Sequence, residues 1–341
     1  MRKTAFSILS VLVVAMAVAL AFLIPSGAIT EDAQLRYSSA AAFEEEEGTP
    51  EEGASLRPVA VLASAVFSDI LPAANITPLP GEITEPGRAP IAANFTDSGY
   101  RDDTIIVELE QRREYDSDVF IAYVKIATPS QLRTAIAGDK LSSTRTNHTT
   151  QLAANYNGIV AINGDYYTKS KAGYVVRMGQ TYREQTSKNM DLLLIDELGD
   201  FHIMLRGHEN QENAIKAFKS EHEAVNGFFF GPALVVDGEQ QEIPEKYQYD
   251  PHQKNPRAGI GQLGPLTYAM VVVNGRTEAS DGVTMEEFAS IMAEIGCEQA
   301  YNLDGGNSAT LAFNGQMVND KPQAERSVTD IIYFASATSG E

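Results

Sequence analysis

Residues 300–313, AYNLDGGNSATLAF, set an acid, two glycines, an amide and a hydroxyl between two short apolar runs. Such a stretch is either a hairpin with a glycine-rich turn or a site in which Asp304 and Ser308 do chemistry beside closely approachable backbone at Gly305 and Gly306. Asp237-Gly238 after ALVV and Asn314-Gly315 after TLAF fit the turn reading, because both central residues of a type I′ turn need positive φ. The 304 loop differs, since a helix-fed buried strand, AYNL, delivers the acid at its end. GIVAINGDYY, residues 158–167, is a second such place: a core run ends in Asn163, Gly164 and Asp165, and Lys169, Ser170, Lys171 and Gly173 then continue a polar loop. Polar groups at the end of a core strand are where binding sites are commonly built. Arg257, in NPRAGIG, is equally a surface arginine or a buried anion clamp.

Other chemistries are set aside. GIGQLG, residues 259–264, matches GxGxxG, but Pro265 and the β-rich LTYAMVVV follow it, so no helix N-terminus is offered to a pyrophosphate. Histidines 148, 202, 208, 222 and 252 show no zinc-ligand spacing, and there is no GxSxG elbow. Asn75, Asn94 and Asn147 open Asn-x-Thr acceptors that matter only in a eukaryotic host.

The elements that must position these residues follow from the rest of the chain. Its 341 residues are 43% hydrophobic, enough for one large domain with appendages. Met1-Arg2-Lys3 and then the uncharged run from Ala5 to Ile24 form a basic n-region followed by an apolar stretch of membrane-spanning length. The chain is therefore expected to be exported, with 1–28 either a signal peptide cut near Pro25 to Ala28 or an uncleaved anchor, and with the bulk outside. Residues 29–91, rich in Ala, Pro, Glu and Ser, read as a flexible stalk with a short apolar patch from Val59 to Leu71. The net charge of −20 repels nucleic acid and anionic membrane, so an anionic substrate would need a local arginine cluster. Cys297 is the one cysteine, which excludes an internal disulfide and leaves stability to the core or to metal ions.

From about Ala92, strands are expected at 104–109, 119–126, 158–162, 192–195, 224–230, 233–236, 267–273 and 308–313. Helices are expected at 130–136, 149–156, 211–219 and 285–295. That pattern predicts a single globular domain over 92–338 of the α+β or mixed α/β class, a mixed β-sheet core with packed helices.

Four segments, in order, resemble the phosphodiester glycosidase family. AINGDYY is similar to that family's Ala-Ile-Asn-Gly-Gly-Phe-Phe segment and NPRAGIGQ to its Pro-Arg-Thr-Ala-Ile-Gly strand. SDGVTMEEFASIMAEIGCEQAYNLDGGNSATL resembles its helix followed by Asn-Leu-Asp-Gly-Gly-Gly-Ser-Ser, and ERSVTDIIYF its terminal Arg-x-Val strand. The resemblance implies an exported hydrolase that cleaves the glycosidic bond of a sugar 1-phosphodiester, of the N-acetylglucosamine type, in an envelope or exopolysaccharide glycan. The other reading is a non-catalytic module binding envelope polysaccharide on a membrane-tethered stalk. The implied catalytic residues are Asp304, Asp165 and Arg257, with Asn163, Gly305, Gly306, Asn307, Ser308 and Arg326 binding substrate and Arg145 and Arg177 in reserve. Arginines would grip the phosphate and Asp304 would serve the oxocarbenium-like centre. Backbone N–H groups of Gly305 and Gly306 would add donors, and Asp165 would be a second carboxylate or would hold Ca²⁺ or Mg²⁺ with Asp304. Two positions depart from the family: Asp165 stands where many members have glycine, and Asn307 where the third glycine usually sits.

Overall fold

A computed structural model describes residues 87–138, 140–169, 173–321 and 323–338. The expected signal or anchor, the apolar patch and all but the last residues of the stalk lie outside them. Among the described residues no helix is long and apolar enough to cross a membrane. Packing already begins at Arg88, whose N–H donates to Ser336 O (3.1 Å) and whose guanidinium bridges Asp102 and Asp103.

The described chain is mostly β, which corrects the α+β or mixed α/β expectation: its strands form three sheets, and every strand pairing in them is antiparallel. The largest has nine strands in the order Phe95–Thr96, Gly99–Arg101, Ile105–Glu114, Ser117–Ile126, Thr267–Val273, Arg257–Gly264, Gln299–Asn302, Ala233–Val236, Glu239–Gln240. A five-stranded sheet runs Phe201–Met204, Leu192–Asp196, Ala224–Phe228, Tyr174–Arg177, Gln180–Glu184. A second runs Gln316–Met317, Leu311–Phe313, Val160–Asn163, Asp330–Phe334, Leu132–Ile136. The described α-helices are α1 (Thr149–Asn155), α2 (His208–Glu221) and α3 (Met285–Glu294).

The main core lies between sheets, where Phe120, Val124, Ile260, Met270 and Tyr301 of the large sheet meet Ile162, Leu311, Ile332 and Phe334 of one small sheet and Leu193 and Phe228 of the other. Helix α3 covers the opposite face of the large sheet, packing Phe288, Ile291 and Met292 on Ile121, Val271 and Ala300. Strand Thr267–Val273, buried on both faces, therefore reads as a continuous apolar run. The capping box that starts α3, Thr284 with Glu287, fixes where that helix begins. The first two glycines of GIGQLG serve this packing. A Cβ on Gly259 would stand 2.9 Å from Phe288 Cε1, and one on Gly261 would overlap Cys297 Sγ.

The helix expected at 130–136 is where the class prediction fails. Thr128 and Gln131 form a capping box around the single 3-10 turn Pro129–Gln131, and Leu132–Ile136 then pairs along Asp330–Phe334 as an edge strand. A local start signal is overridden by a partner strand nearly two hundred residues away. Strands Tyr174–Arg177, Gln180–Glu184 and Phe201–Met204 were likewise absent from the expected set, being short and, at 180–184, largely exposed.

Candidate active site

Three strand ends meet at one place. Strand Val160–Asn163 pairs with Asp330–Phe334, and as it leaves the sheet Gly164 N–H donates to Asp330 O (2.9 Å). The chain leaving Gln299–Asn302 arrives beside it: Leu303 N–H donates to Ala258 O (2.8 Å) and Asp304 N–H to Gly164 O (3.3 Å). Asn163 locks the junction, its wholly buried amide donating to Asp304 O (2.7 Å) and Gly164 O (3.1 Å) while accepting from Thr310 N–H (3.1 Å). Every hydrogen-bonding group of that amide faces protein, so Asn163 shapes the Asp304 loop and offers nothing outward.

The junction borders a small pocket open to solvent, lined by Thr146, Gly164, Tyr166, Asp304, Ser308, Arg326 and Asp330 among others. Of the acids around it, Asp304 is the one without a salt bridge within 4 Å among the described residues. Burial raises its pKa above the ordinary carboxylate value. The nearby buried Ser308 hydroxyl, free of any other claim among the described residues and so able to turn toward the carboxylate, and the charges of Arg326 and Lys169 pull it back, and Asp165 pushes it up again. Arg326 is exposed, its guanidinium carbon 5.6 Å from the Tyr166 ring centre, and Lys169 Nζ is 5.8 Å from the same ring. Neither cation has a carboxylate partner within 4 Å among the described residues. Tyr166 is held at φ +57, in the left-handed region where a bulky residue is strained, and such outliers cluster at ligand sites.

Behind the pocket lies a buried ionic frame. Arg177, 3% exposed, donates from Nη2 to Asp165 Oδ1 (2.6 Å) and Asp330 Oδ2 (2.8 Å), and from Nε to Asp330 Oδ2 (3.0 Å). Its Nη1 donates to the carbonyls of Val176 (2.9 Å) and Gly227. Asp165 Oδ2 accepts from Phe229 N–H (2.7 Å), and Asp330 Oδ1 from the Thr329 hydroxyl (3.0 Å). Burial drives the Asp330 pKa up to about 6 against the pull of Arg177. The Asp330 carboxylate stands directly against Gly164, where a Cβ would collide with it, so glycine is the residue this approach allows.

The expected site residues thus separate. Asp304, Ser308 and Arg326 come together at the pocket. Asp165 is held from both oxygens, Oδ1 by Arg177 and Oδ2 by Phe229 N–H. Arg257 is buried with its side chain on the helix-covered face of the large sheet: it donates to the carbonyls of Val283 (3.0 Å), Gln253 (2.8 Å) and Pro251 (3.4 Å), and it does not line the Asp304 pocket. Burial lowers its pKa to about 10, so it remains charged at neutral pH. Gly306 takes φ +59 and spends its N–H on Pro256 O (2.8 Å), while a Cβ on Gly305 would lie 2.7 Å from the same oxygen. These glycines let the loop lie close on Pro256. Asn307 is exposed and outside the left-handed region that Gly306 occupies. It accepts from Arg276 Nη1 (3.1 Å) and donates to Gln323 Oε1 (3.0 Å), bordering a neighbouring crevice. Arg145 is exposed next to the lining residue Thr146.

Tyr166 and Asp330 line the pocket and Lys169 acts on Asp304 from beside it, and none of the three was among the expected site residues. Asp330 carried a usable signal: in TDIIYF an acid opens an apolar strand, the mirror of the acid that closes AYNL. Lys169 and Tyr166 lay in the polar stretch that follows Asn163, but only the folded loop brings them beside Asp304.

The model of the phosphodiester glycosidase family matches residues 156–335, a span that contains Asp165, Arg177, Asp304, Arg326 and Asp330. YomE, an SPbeta prophage-derived uncharacterized protein of Bacillus subtilis (strain 168), is 34% identical over 110 residues, covering 32% of this chain and 17% of that protein. The chain therefore matches less than a fifth of that relative's length. The catalytic domain of zebrafish N-acetylglucosamine-1-phosphodiester alpha-N-acetylglucosaminidase, auto-inhibited by pro-peptide, is similar in fold. It superposes at a TM-score of 0.53 with 16% identity, over 68% of this chain and 83% of that domain.

Proposed function

We propose, from the premise that this chain belongs to the phosphodiester glycosidase family, that it hydrolyses the bond between a sugar and the phosphate of a sugar 1-phosphodiester, with Asp304 at the reacting carbon. The observation that carries this reading is a pocket carboxylate without a salt bridge among the described residues, Asp304, with the cation Arg326 in the pocket lining and a second cation, Lys169, acting on it from beside the Tyr166 ring. A phosphodiester is a compact anion, and a guanidinium with an ammonium beside it matches its unesterified oxygens. Once the glycosidic bond breaks, the leaving group is a phosphate monoester, which departs without the strong general acid an ordinary glycoside needs. Charge control is the remaining task. The cations hold the phosphate, and Asp304 stabilises the oxocarbenium-like centre or drives attack on it.

Asp165 and Asp330 act at one remove. Both are held by Arg177, and their part is to fix the strand end and the Gly164 turn on which the Asp304 loop rests. The Tyr166 ring, held at positive φ and lining the pocket, gives the sugar a flat apolar surface. The reaction is placed outside the cytoplasmic membrane on the N-terminal basic and apolar pattern, with an envelope or exopolysaccharide glycan as the substrate class.

The test is to incubate the purified protein with N-acetylglucosamine 1-phosphodiesters, the matching alkyl glycosides and the sugar 1-phosphates, and to measure released sugar. Release from the phosphodiesters, reduced about 10²–10⁴-fold by Asp304→Asn with the fold intact, is the expected result. Binding without turnover of any of them would replace the hydrolase with a polysaccharide-binding module, and turnover indifferent to Asp304→Asn would remove Asp304 from the chemistry.

A further inference from the structure

A second cluster of chemically able side chains lies in the five-stranded sheet that begins at Phe201–Met204 and shares no residue with the Asp304 pocket. Asp196 ends strand Leu192–Asp196, His202 stands on the returning strand Phe201–Met204, and His222 caps the C-terminal end of α2. His202 Nε2 is 2.9 Å and His222 Nδ1 3.1 Å from the same oxygen, Asp196 Oδ2, and the three ligand atoms lie within 4.8 Å of one another. Glu197 brings a second carboxylate, its Oε1 3.7 Å from His222 Nδ1.

We propose that Asp196, His202 and His222, with Glu197 as the fourth donor, form a binding site for a divalent transition metal of the zinc class. Two imidazole nitrogens and carboxylate oxygens are the donor set such a metal takes, and carboxylate-only ions such as Ca²⁺ and Mg²⁺ do not use it. In a tetrahedral zinc site with bonds of about 2.0–2.1 Å, neighbouring donors stand about 3.3 Å apart. The observed 2.9 and 3.1 Å fall a few tenths short of that, so side-chain adjustment admits the ion with the backbone in place.

The surroundings orient the donors. Asp196 Oδ1 accepts from the backbone N–H groups of Leu198 (2.9 Å) and Asp200 (2.8 Å), which hold the carboxylate plane and point Oδ2 at the histidines. The rings are fixed against Phe218 of α2, with centroid separations of 4.9 Å for His202 and 5.5 Å for His222, and lie 4.8 Å from each other. Asp196 has no exposed side-chain surface, while His202 is 30% and His222 15% exposed, so the ion has a route in from solvent. The metal would join the hairpin at Glu197–Asp200 to the end of α2, two segments that no disulfide can tie in a chain with a single, buried cysteine. The spacing of 196, 202 and 222 matches no zinc signature, because the three donors come from a strand end, a returning strand and a helix cap. Only the packing of α2 on the hairpin assembles them.

The experiment uses the full chain after treatment with a chelator and removal of that chelator. Zn²⁺ is titrated in competition with a chromophoric chelator, and Co²⁺ is added separately to record its visible spectrum. The expected results are one tight Zn²⁺ equivalent per chain, a rise in melting temperature with Zn²⁺, and a Co²⁺ spectrum of four-coordinate nitrogen and oxygen ligation. His202→Gln and His222→Gln should each abolish stoichiometric binding while His148→Gln, at an exposed histidine, leaves it unchanged. The Co²⁺ spectrum of the unaltered chain decides the question even where a variant fails to fold. A featureless weak octahedral spectrum, no stoichiometric Zn²⁺ uptake, or uptake that survives both substitutions would overturn the site and leave the cluster a hydrogen-bonded clamp.

Discussion

Replacing Arg177 with methionine tests whether the ionic frame holds the site. The guanidinium is 3% exposed and its carboxylate partners Asp165 and Asp330 are 0% and 1% exposed, so the substitution strands two buried acids with no cation between them. Breaking a buried pair by removing one partner costs about 3–5 kcal/mol, because the remaining charge is left desolvated. The cost has a ceiling, since a stranded carboxyl can take up a proton at about 1.4 kcal/mol per pH unit between its unfolded pKa and the ambient pH. Burial already holds Asp330 at about 6 with Arg177 present, and losing the guanidinium raises it further. A carboxyl whose folded pKa exceeds its unfolded value of about 3.9 binds more protons folded than unfolded. Its contribution to stability is full below that unfolded value and is lost as pH rises through the folded one. Urea denaturation should therefore show Arg177→Met less stable than the unaltered protein by about 3–5 kcal/mol at pH 8, with the deficit shrinking toward pH 5 and the urea slope unchanged. Arg177→Lys, which keeps the charge but loses the fork, should fall between them. A deficit below about 1 kcal/mol at pH 8, or one that grows as the pH falls, would refute this account of the frame.

Arg326→Ala removes a cation that favours the ionised form of Asp304, so the acid limb of the pH profile of kcat/KM should move to higher pH; a shift to lower pH would mean the limb belongs to another group. Gly164→Ala drives a methyl group into the Asp330 carboxylate, and thermal or urea melts should register a loss of about 1–3 kcal/mol together with lower activity. Gly261→Ala overlaps Cys297 Sγ beneath α3 and should cost a similar amount, about 1–3 kcal/mol, without touching the site. Combining it with Cys297→Ala should recover part of that loss, and strict additivity in the double-mutant cycle would rule out the contact as the cause.

Local signals in the chain were legible where one element's own chemistry decides its form. Strand Thr267–Val273 was expected at its observed bounds, α3 lay in the apolar pattern behind its Thr284–Glu287 box, and the Asp-Gly and Asn-Gly turns at 237 and 314 carry the positive φ values that those residues tolerate. The class was misjudged because 130–136 resembles a helix start, while its partner strand is encoded near the C-terminus. Asp304 could be picked out from the acid-bearing end of a buried run, and Arg326 and Ser308 from the family resemblance. Asp165 and Arg257 were picked out by the same means, and in the structure both face other protein groups.

What the sequence determined by itself is the placement of acids and glycines at strand ends, an acidic chain that disfavours nucleic acid, and the family to which residues 156–335 belong. What only the tertiary structure decided is which acid is left without a salt bridge. Asp165 is occupied by Phe229, 64 residues on, Asp330 by Arg177, 153 residues back, and Asn163 reaches 141 residues to fix the Asp304 loop. The same holds for Asp196, His202 and His222, which the packing of one helix brings together. Periodicity reports which face of an element is buried. Whether a buried charge is satisfied depends on partners that sequence distance does not reveal, and that satisfaction separates a framework carboxylate from one available to a substrate.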